Sequence, residues 1–134
     1  MTQSDEKELT MYQVLGGQPG IASLVDCFYG LMDELPEAST IRAMHPADLS
    51  ESKHKLELFL VGWMGGPPLY MQKYGHPRLR ARHLPFAVDS AARDAWMLCM
   101  NRALRKTELP EEICEQIEGA FAGLANHMRN TQDA

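Results

Sequence analysis

The stretch GGPPLYMQKYGHPRLRARHLPF, Gly65–Phe86, decides how the whole sequence is interpreted. Its Gly-Gly-Pro-Pro start is a strong helix breaker, and the remainder is too broken for a long helix. The segment Pro77–His83 is predicted to form one short helix, because proline suits a first helical turn. Pro85 disfavours helical geometry at Leu84, so His83 is expected at or near the last helical residue. A connection of this length between two good helices is usually functional when its composition is not that of a disordered segment.

Four amphipathic helices flank this stretch, because apolar residues recur there at intervals of three and four. The four apolar stripes run over Ile21–Leu35, Ser52–Trp63, Ala92–Ala103 and Ile113–Met128. The first follows the loop Gly16–Gly20 and is expected to stop near Pro36. Asp89 or Ser90 is expected to cap the third, and Pro110 lies near the start of the fourth. No convincing strand pair is present, so the sequence predicts an all-α fold.

Length and charge narrow the possible classes of protein. A chain of 134 residues is predicted to form one domain spanning 1–134, with residues 1–8 and the last few residues frayed. The formal net charge is −5, so the chain has no excess of basic residues. This argues against nucleic acid and anionic membrane surfaces as partners. No apolar run approaches the roughly 20 residues that span a bilayer.

The first residues and the cysteines bear on the compartment. The polar and acidic start MTQSDEKELT is unlike a secretory signal peptide, so none is expected. Cys27, Cys99 and Cys114 are widely spaced and form no C-x-x-C pair, which argues against a disulfide framework or a Cys-rich zinc site. We therefore expect a reducing, cytoplasmic location.

Three ring side chains are candidates for a cofactor site. A haem in a small helical domain needs an imidazole aimed at its iron and a large apolar slot. His83 ends the predicted short helix beside the apolar Leu79 and Phe86, which makes it a candidate iron ligand. Spacing alone favours a simpler interpretation, a last-turn histidine stabilised by the helix dipole. Tyr29 and Trp96 lie on otherwise apolar helix faces, where core aromatics are also the simpler interpretation.

The combination of motifs is more specific than any single residue. The Gly65–Phe86 stretch, the string Arg93-Asp94-Ala95-Trp96 followed by Cys99-Met100, and the pair Phe28-Tyr29 occur in one order. In that order, and over about residues 10–128, the chain resembles the group II truncated haemoglobins. The resemblance implies a two-over-two helical sandwich around one haem b. The motif C-x-x-C-H is absent, so that haem would not be attached through it.

The resemblance also implies roles for individual residues. His83 matches the proximal iron ligand, Tyr29 the distal tyrosine, and Trp96 the distal tryptophan that marks this group. His45 falls where relatives often carry tyrosine or phenylalanine, and this departure leaves the polarity of the distal side open. Ser52 falls where other globins place a distal histidine.

Further residues would surround the haem. Leu56 and Phe59 would line its face one and two turns after Ser52, and Leu79 and Phe86 would lie beside His83. The candidates for contacts with the propionates are Lys55, Tyr70, His76 and Arg82. The family often has an aromatic residue directly before the Gly-Gly pair, where this chain has Met64, with Trp63 one place earlier.

These residues support reversible binding of dioxygen, with nitric oxide, carbon monoxide or peroxide as further ligands. Donors aimed at a ligand that gains negative charge slow its release, which fits retention better than bulk oxygen transport. One alternative is a haem enzyme, a nitric oxide dioxygenase or a peroxidase-like protein, served by an unknown reductase. Another is a non-haem helical interaction protein whose aromatics are core residues. A monomer and a homodimer are both compatible with the sequence.

Overall fold

The computed structural model describes residues 9–78, 81, 83, 86 and 88–130. Every regular element within these described residues is helical, which confirms the all-α prediction. The helices are α1 Met11–Val14, α2 Gly17–Glu34, a 3-10 turn Pro36–Ala38, α3 Ser39–Ala43, α4 Ser50–Trp63, α5 Leu69–Tyr74, α6 Ser90–Arg105 and α7 Glu111–His127. The predicted fraying concerns residues 1–8 and 131–134, which lie outside the described residues.

Helix α2 is the long first helix that the sequence predicts. Gly16 precedes it in the left-handed region, with φ of 91°, a conformation that glycine adopts without steric cost. Gly20 lies so close to Leu15 that a Cβ atom there would approach the Leu15 carbonyl oxygen to 1.6 Å. The helix ends at Leu35, whose extended backbone is the geometry that the following Pro36 favours.

Helix α4 ends at the Gly-Gly-Pro-Pro breaker, as predicted. Gly65 has φ of 102°, and a Cβ atom on Gly66 would meet the Tyr12 ring at 2.6 Å. The Tyr12 backbone N–H also donates a hydrogen bond to the Met64 carbonyl at 2.9 Å. The two glycines therefore let the short α1 pack closely on the end of α4.

The starts of α6 and α7 follow the sequence signals. Asp89 caps α6, since its carboxylate accepts a hydrogen bond from the Ala92 backbone N–H at 2.8 Å. Glu111 follows Pro110 in the first turn of α7, where the helix dipole favours negative charge. Arg105, at the end of α6, forms ion pairs with Glu111 and Glu118 and so ties these two helices together.

One prediction for the connection between α4 and α6 is wrong. Pro77 does not begin a helix, because Arg78 directly after it has a left-handed backbone with φ of 47°. The Arg78 backbone N–H instead donates to the ring Nδ1 of His76 at 3.1 Å. Ala81 and His83 do have helical backbone, as the sequence predicts for the later part of this segment.

Packing of the long helices forms the core. Helix α2 packs against both α4 and α6, and α6 packs against α7. Phe28 and Phe121 are fully buried, and the Trp96 ring lies between them with centroid distances of 5.2 Å and 5.6 Å. Edge-to-face aromatic contacts of this kind hold Trp96 in place from two helices. Among the described residues, no helix is long and apolar enough to cross a membrane.

Candidate functional site

A cavity of about 560 Å³ opens among the helices, within the range of roughly 300–1,000 Å³ typical of cofactor sites. Its wall combines residues from α2, α3, α4, α5, α6, the end of α7 and the connection that contains His83. Ten of the residues predicted from the sequence line it: Tyr29, His45, Ser52, Lys55, Leu56, Phe59, Tyr70, His83, Phe86 and Trp96. Seven other described residues also line it: Ile41, Met44, Pro46, Glu51, Val88, Ala92 and Met128.

His83 reaches the cavity from the connection between α5 and α6. It is half-buried and has helical backbone, and its carbonyl accepts a hydrogen bond from the Phe86 backbone N–H at 2.9 Å. This bond closes a turn that brings Phe86 to the same cavity, where its side chain remains 41% exposed. The turn places an imidazole beside an apolar ring.

Tyr29 and Trp96 bring two hydrogen-bond donors to the cavity from α2 and α6. Both rings pack edge-on against Phe28, with centroid distances of 4.9 Å for Tyr29 and 5.2 Å for Trp96. Tyr29 is only 5% exposed, and desolvation by this burial raises its pKa to about 12. The Tyr29 hydroxyl therefore keeps its proton throughout the physiological range and is available as a donor.

The tautomer of His45 follows from its hydrogen bond. Its ring Nδ1 lies 2.8 Å from the carbonyl oxygen of Ile41, which can only accept. Nδ1 therefore carries the proton, and in the neutral ring Nε2 is an acceptor. The imidazole packs edge-on against Tyr29 with a centroid distance of 5.7 Å. Neutral His45 thus has an acceptor, not a donor, at Nε2.

Charged groups lie on the α4 side of the cavity. Lys55 pairs with Glu51 one turn earlier at 3.5 Å, and its Nζ lies 5.5 Å from the centroid of the Tyr74 ring. Tyr70 is buried and meets Phe59 edge-on at 6.4 Å. A cation beside a largely apolar wall is the arrangement that the carboxylates of an amphipathic cofactor require.

One predicted residue does not line this wall, and two others lie outside the residues that the structure describes. His76 is exposed, and its ring accepts the Arg78 backbone N–H instead of lining the cavity. Leu79 and Arg82 lie outside the described residues. Their assigned roles beside the haem remain predictions.

Sequence reasoning missed several wall residues because their local signals are absent or do not distinguish a cavity wall from core. Ala92 and Met128 belong to the predicted apolar stripes, but nothing in the periodicity distinguishes a cavity wall from ordinary core. Ile41 lies on a helix of five residues, too short to show a periodic pattern, and Met44 follows that helix directly. Val88 carries no local signal.

Comparison with known proteins decides the family. The sequence model of the bacterial-like globins matches residues 10–130. Group 2 truncated haemoglobin YjbI of Bacillus subtilis (strain 168) is 40% identical over 118 residues, which are 88% of this chain and 87% of that protein. The chain belongs to the group II truncated haemoglobins.

Solved structures agree with this membership. The group II 2-on-2 haemoglobin of Agrobacterium tumefaciens is 44% identical, with a TM-score of 0.87 over 95% of this truncated haemoglobin and 98% of that chain. The cold-adapted truncated haemoglobin of Pseudoalteromonas haloplanktis TAC125 is 39% identical, with a TM-score of 0.88 over 92% of this chain and 99% of that chain. The predicted two-over-two helical sandwich is therefore confirmed.

Membership of a globin family implies a haem cofactor and binding of a ligand to it, and the residues of this truncated haemoglobin fit such a group. A haem needs an imidazole, an apolar slot and a cation at its edge. The cavity offers His83 as the imidazole, Leu56 and Phe59 on its apolar wall, and Lys55 as the cation. The volume of about 560 Å³ suits a group of this size.

Proposed function

We propose that this truncated haemoglobin binds dioxygen reversibly at a haem b held by His83. The observation that carries the proposal is the meeting of one imidazole, His83, with two donors, Tyr29 and Trp96, in a single largely apolar cavity. When bound, the haem supplies an iron with one coordination position open to a diatomic ligand. Membership of the globin family also argues against the alternative of a non-haem interaction protein.

Tyr29 and Trp96 set how long a ligand stays. A diatomic ligand that draws electron density becomes partly negative, and hydrogen bonds to charged acceptors are worth about 1.5–3 kcal/mol each. The Tyr29 hydroxyl and the Trp96 indole N–H are both donors, and the packing of both rings on Phe28 limits the side-chain entropy that binding would cost. Two such bonds slow release by about a hundredfold or more. This supports retention of the ligand over rapid delivery.

The remaining wall residues exclude water and tune the donors. Ile41, Leu56 and Phe59 give the cavity apolar walls, which strengthens hydrogen bonds made inside it. His45 packs edge-on against the Tyr29 ring, and its neutral imidazole keeps an acceptor at Nε2.

The Tyr29 hydroxyl is expected to remain a donor well into alkaline conditions. Its folded-state pKa of about 12 lies above the value of 10.0 that is ordinary for tyrosine, so its contribution to stability is complete below pH 10 and is lost as pH rises through about 12. We expect phenolate ultraviolet absorbance to show one tyrosine that ionises late, and the Tyr29→Phe variant to lack that step. A titration curve for the variant that still contains the late step would contradict this assignment.

Absorption spectra of the purified protein test the proposal as a whole. We expect a Soret band, a ferrous spectrum typical of one axial histidine, and a distinct spectrum under oxygen that reverts when oxygen is removed. Absence of haem after expression with sufficient haem supply would overturn the proposal. Consumption of nitric oxide in the presence of a reductant would indicate the enzymatic alternative.

A further inference from the structure

Asn130 follows the last turn of α7 and is hydrogen-bonded to the connection that carries His83. Its Nδ2 donates to the carbonyl oxygen of His83 at 3.0 Å and to that of Phe86 at 3.0 Å. Its Oδ1 accepts the backbone N–H of Val88 at 2.9 Å, and its own backbone N–H donates to the Val88 carbonyl at 2.8 Å. One residue therefore contacts three positions of this connection.

Only one orientation of the Asn130 amide satisfies all of these partners. Two carbonyl oxygens face Nδ2, which has two hydrogens to give, and one N–H faces Oδ1. A carboxylate of the same shape keeps the bond to Val88 but turns an acceptor toward the carbonyl oxygens of His83 and Phe86. The site therefore requires asparagine chemistry and not only a polar side chain.

These bonds act on the backbone of the proposed iron ligand. The His83 carbonyl accepts a hydrogen bond from the Phe86 backbone N–H and a second one from Asn130 Nδ2. Met128, two residues before Asn130, lines the same cavity. The end of α7 thus contributes both to the cavity wall and to fixing the segment from which the imidazole extends.

We propose that Asn130 is a positioning residue that sets the orientation of His83 toward the haem iron; this inference rests on the proposed function. An iron ligand must be held within fractions of an ångström by the groups that support it. The contact with Asn130 fixes the His83 main chain from a residue just beyond α7, 47 positions away along the sequence. Loss of the contact with Asn130 would leave the His83 side chain in the cavity but would no longer fix its backbone.

The test compares Asn130→Asp and Asn130→Ala with a matched control, Asn126→Asp. Asn126 lies in the last turn of α7, and its Oδ1 accepts from Arg93 Nη1 at 2.9 Å, a bond that aspartate preserves. The control makes the same chemical change without contacting His83. Each holoprotein is examined by resonance Raman for the iron–histidine stretching band, by haem transfer to excess apomyoglobin, and by circular dichroism.

We expect Asn130→Asp to shift or broaden the iron–histidine band and to lose haem about tenfold faster, the ratio that about 1.4 kcal/mol represents. Asn130→Ala is expected to show the same changes more weakly, since it introduces no repulsion, and it provides the comparison if the aspartate variant folds poorly. Asn126→Asp is expected to match the wild type.

Two results would overturn the inference. Wild-type bands and haem transfer in both Asn130 variants would show that the contact does not act on the ligand. Faster haem loss with an unchanged iron–histidine band would assign Asn130 to general stability of the fold. A wild-type protein that takes up no haem would instead overturn the proposed function, so the two failures are distinguishable.

Discussion

Replacing His83 with alanine is expected to abolish stable retention of haem. His83 is the imidazole that we propose as iron ligand, and it lines the cavity from a turn closed by its own carbonyl and the Phe86 N–H. Loss of an outer-shell partner alone costs about 10–100-fold in metal affinity, and removal of the ligand itself is expected to cost more. The measurement is the ratio of haem to protein after gel filtration, together with the ferrous absorption spectrum.

A control and a rescue make this result specific. His127 is exposed in the last turn of α7, so His127→Ala removes a histidine without altering the cavity. Added imidazole is expected to restore haem binding and the ferrous spectrum to His83→Ala, since it fills the space that the ring leaves. Normal haem content and an unchanged ferrous spectrum in His83→Ala would refute the assignment.

Periodicity and breakers predict the long helices because each signal is local. Neighbouring residues alone predict the apolar stripe of α2 and the end of α4 before Gly65-Gly66. Helices α1 and α3 have four and five residues, which is too few to repeat an apolar position, so they left no pattern. The backbone at Arg78 was missed because its left-handed turn depends on a hydrogen bond to His76.

The candidate site could be predicted only in part, because its residues meet through contacts between distant parts of the sequence. Periodicity alone favours core aromatics at Tyr29 and Trp96, and only the ordered motifs of the family distinguished them. The resemblance led to ten residues of the cavity wall but gave no indication of Asn130, whose partners lie 42 to 47 residues away. Hydrogen bonds over such separations arise from tertiary packing, so the residues adjacent to Asn130 in the sequence do not predict them.

Replacing Tyr29 or Trp96 with phenylalanine is expected to speed dissociation of dioxygen by about tenfold or more in each case. Both changes retain an aromatic ring and remove the donor, and stopped-flow absorbance on the oxygenated protein measures the rate. If both groups donate to one ligand, or to each other, the effects in the double variant are expected to be non-additive. A double-mutant cycle therefore shows whether the two donors act on the same ligand.

Packing changes must be separated from loss of the donor, because Trp96→Phe also leaves space beside Phe121. Trp63 provides the comparison, since its ring lies 5.1 Å from Phe121, against 5.6 Å for Trp96, but it is not among the residues that line the cavity. Trp63→Phe is expected to lower stability without changing the dissociation rate. If Trp63→Phe speeds release as much as Trp96→Phe, packing accounts for the effect; if neither Tyr29→Phe nor Trp96→Phe alters it, both residues belong to the core and the ligand is retained by other groups.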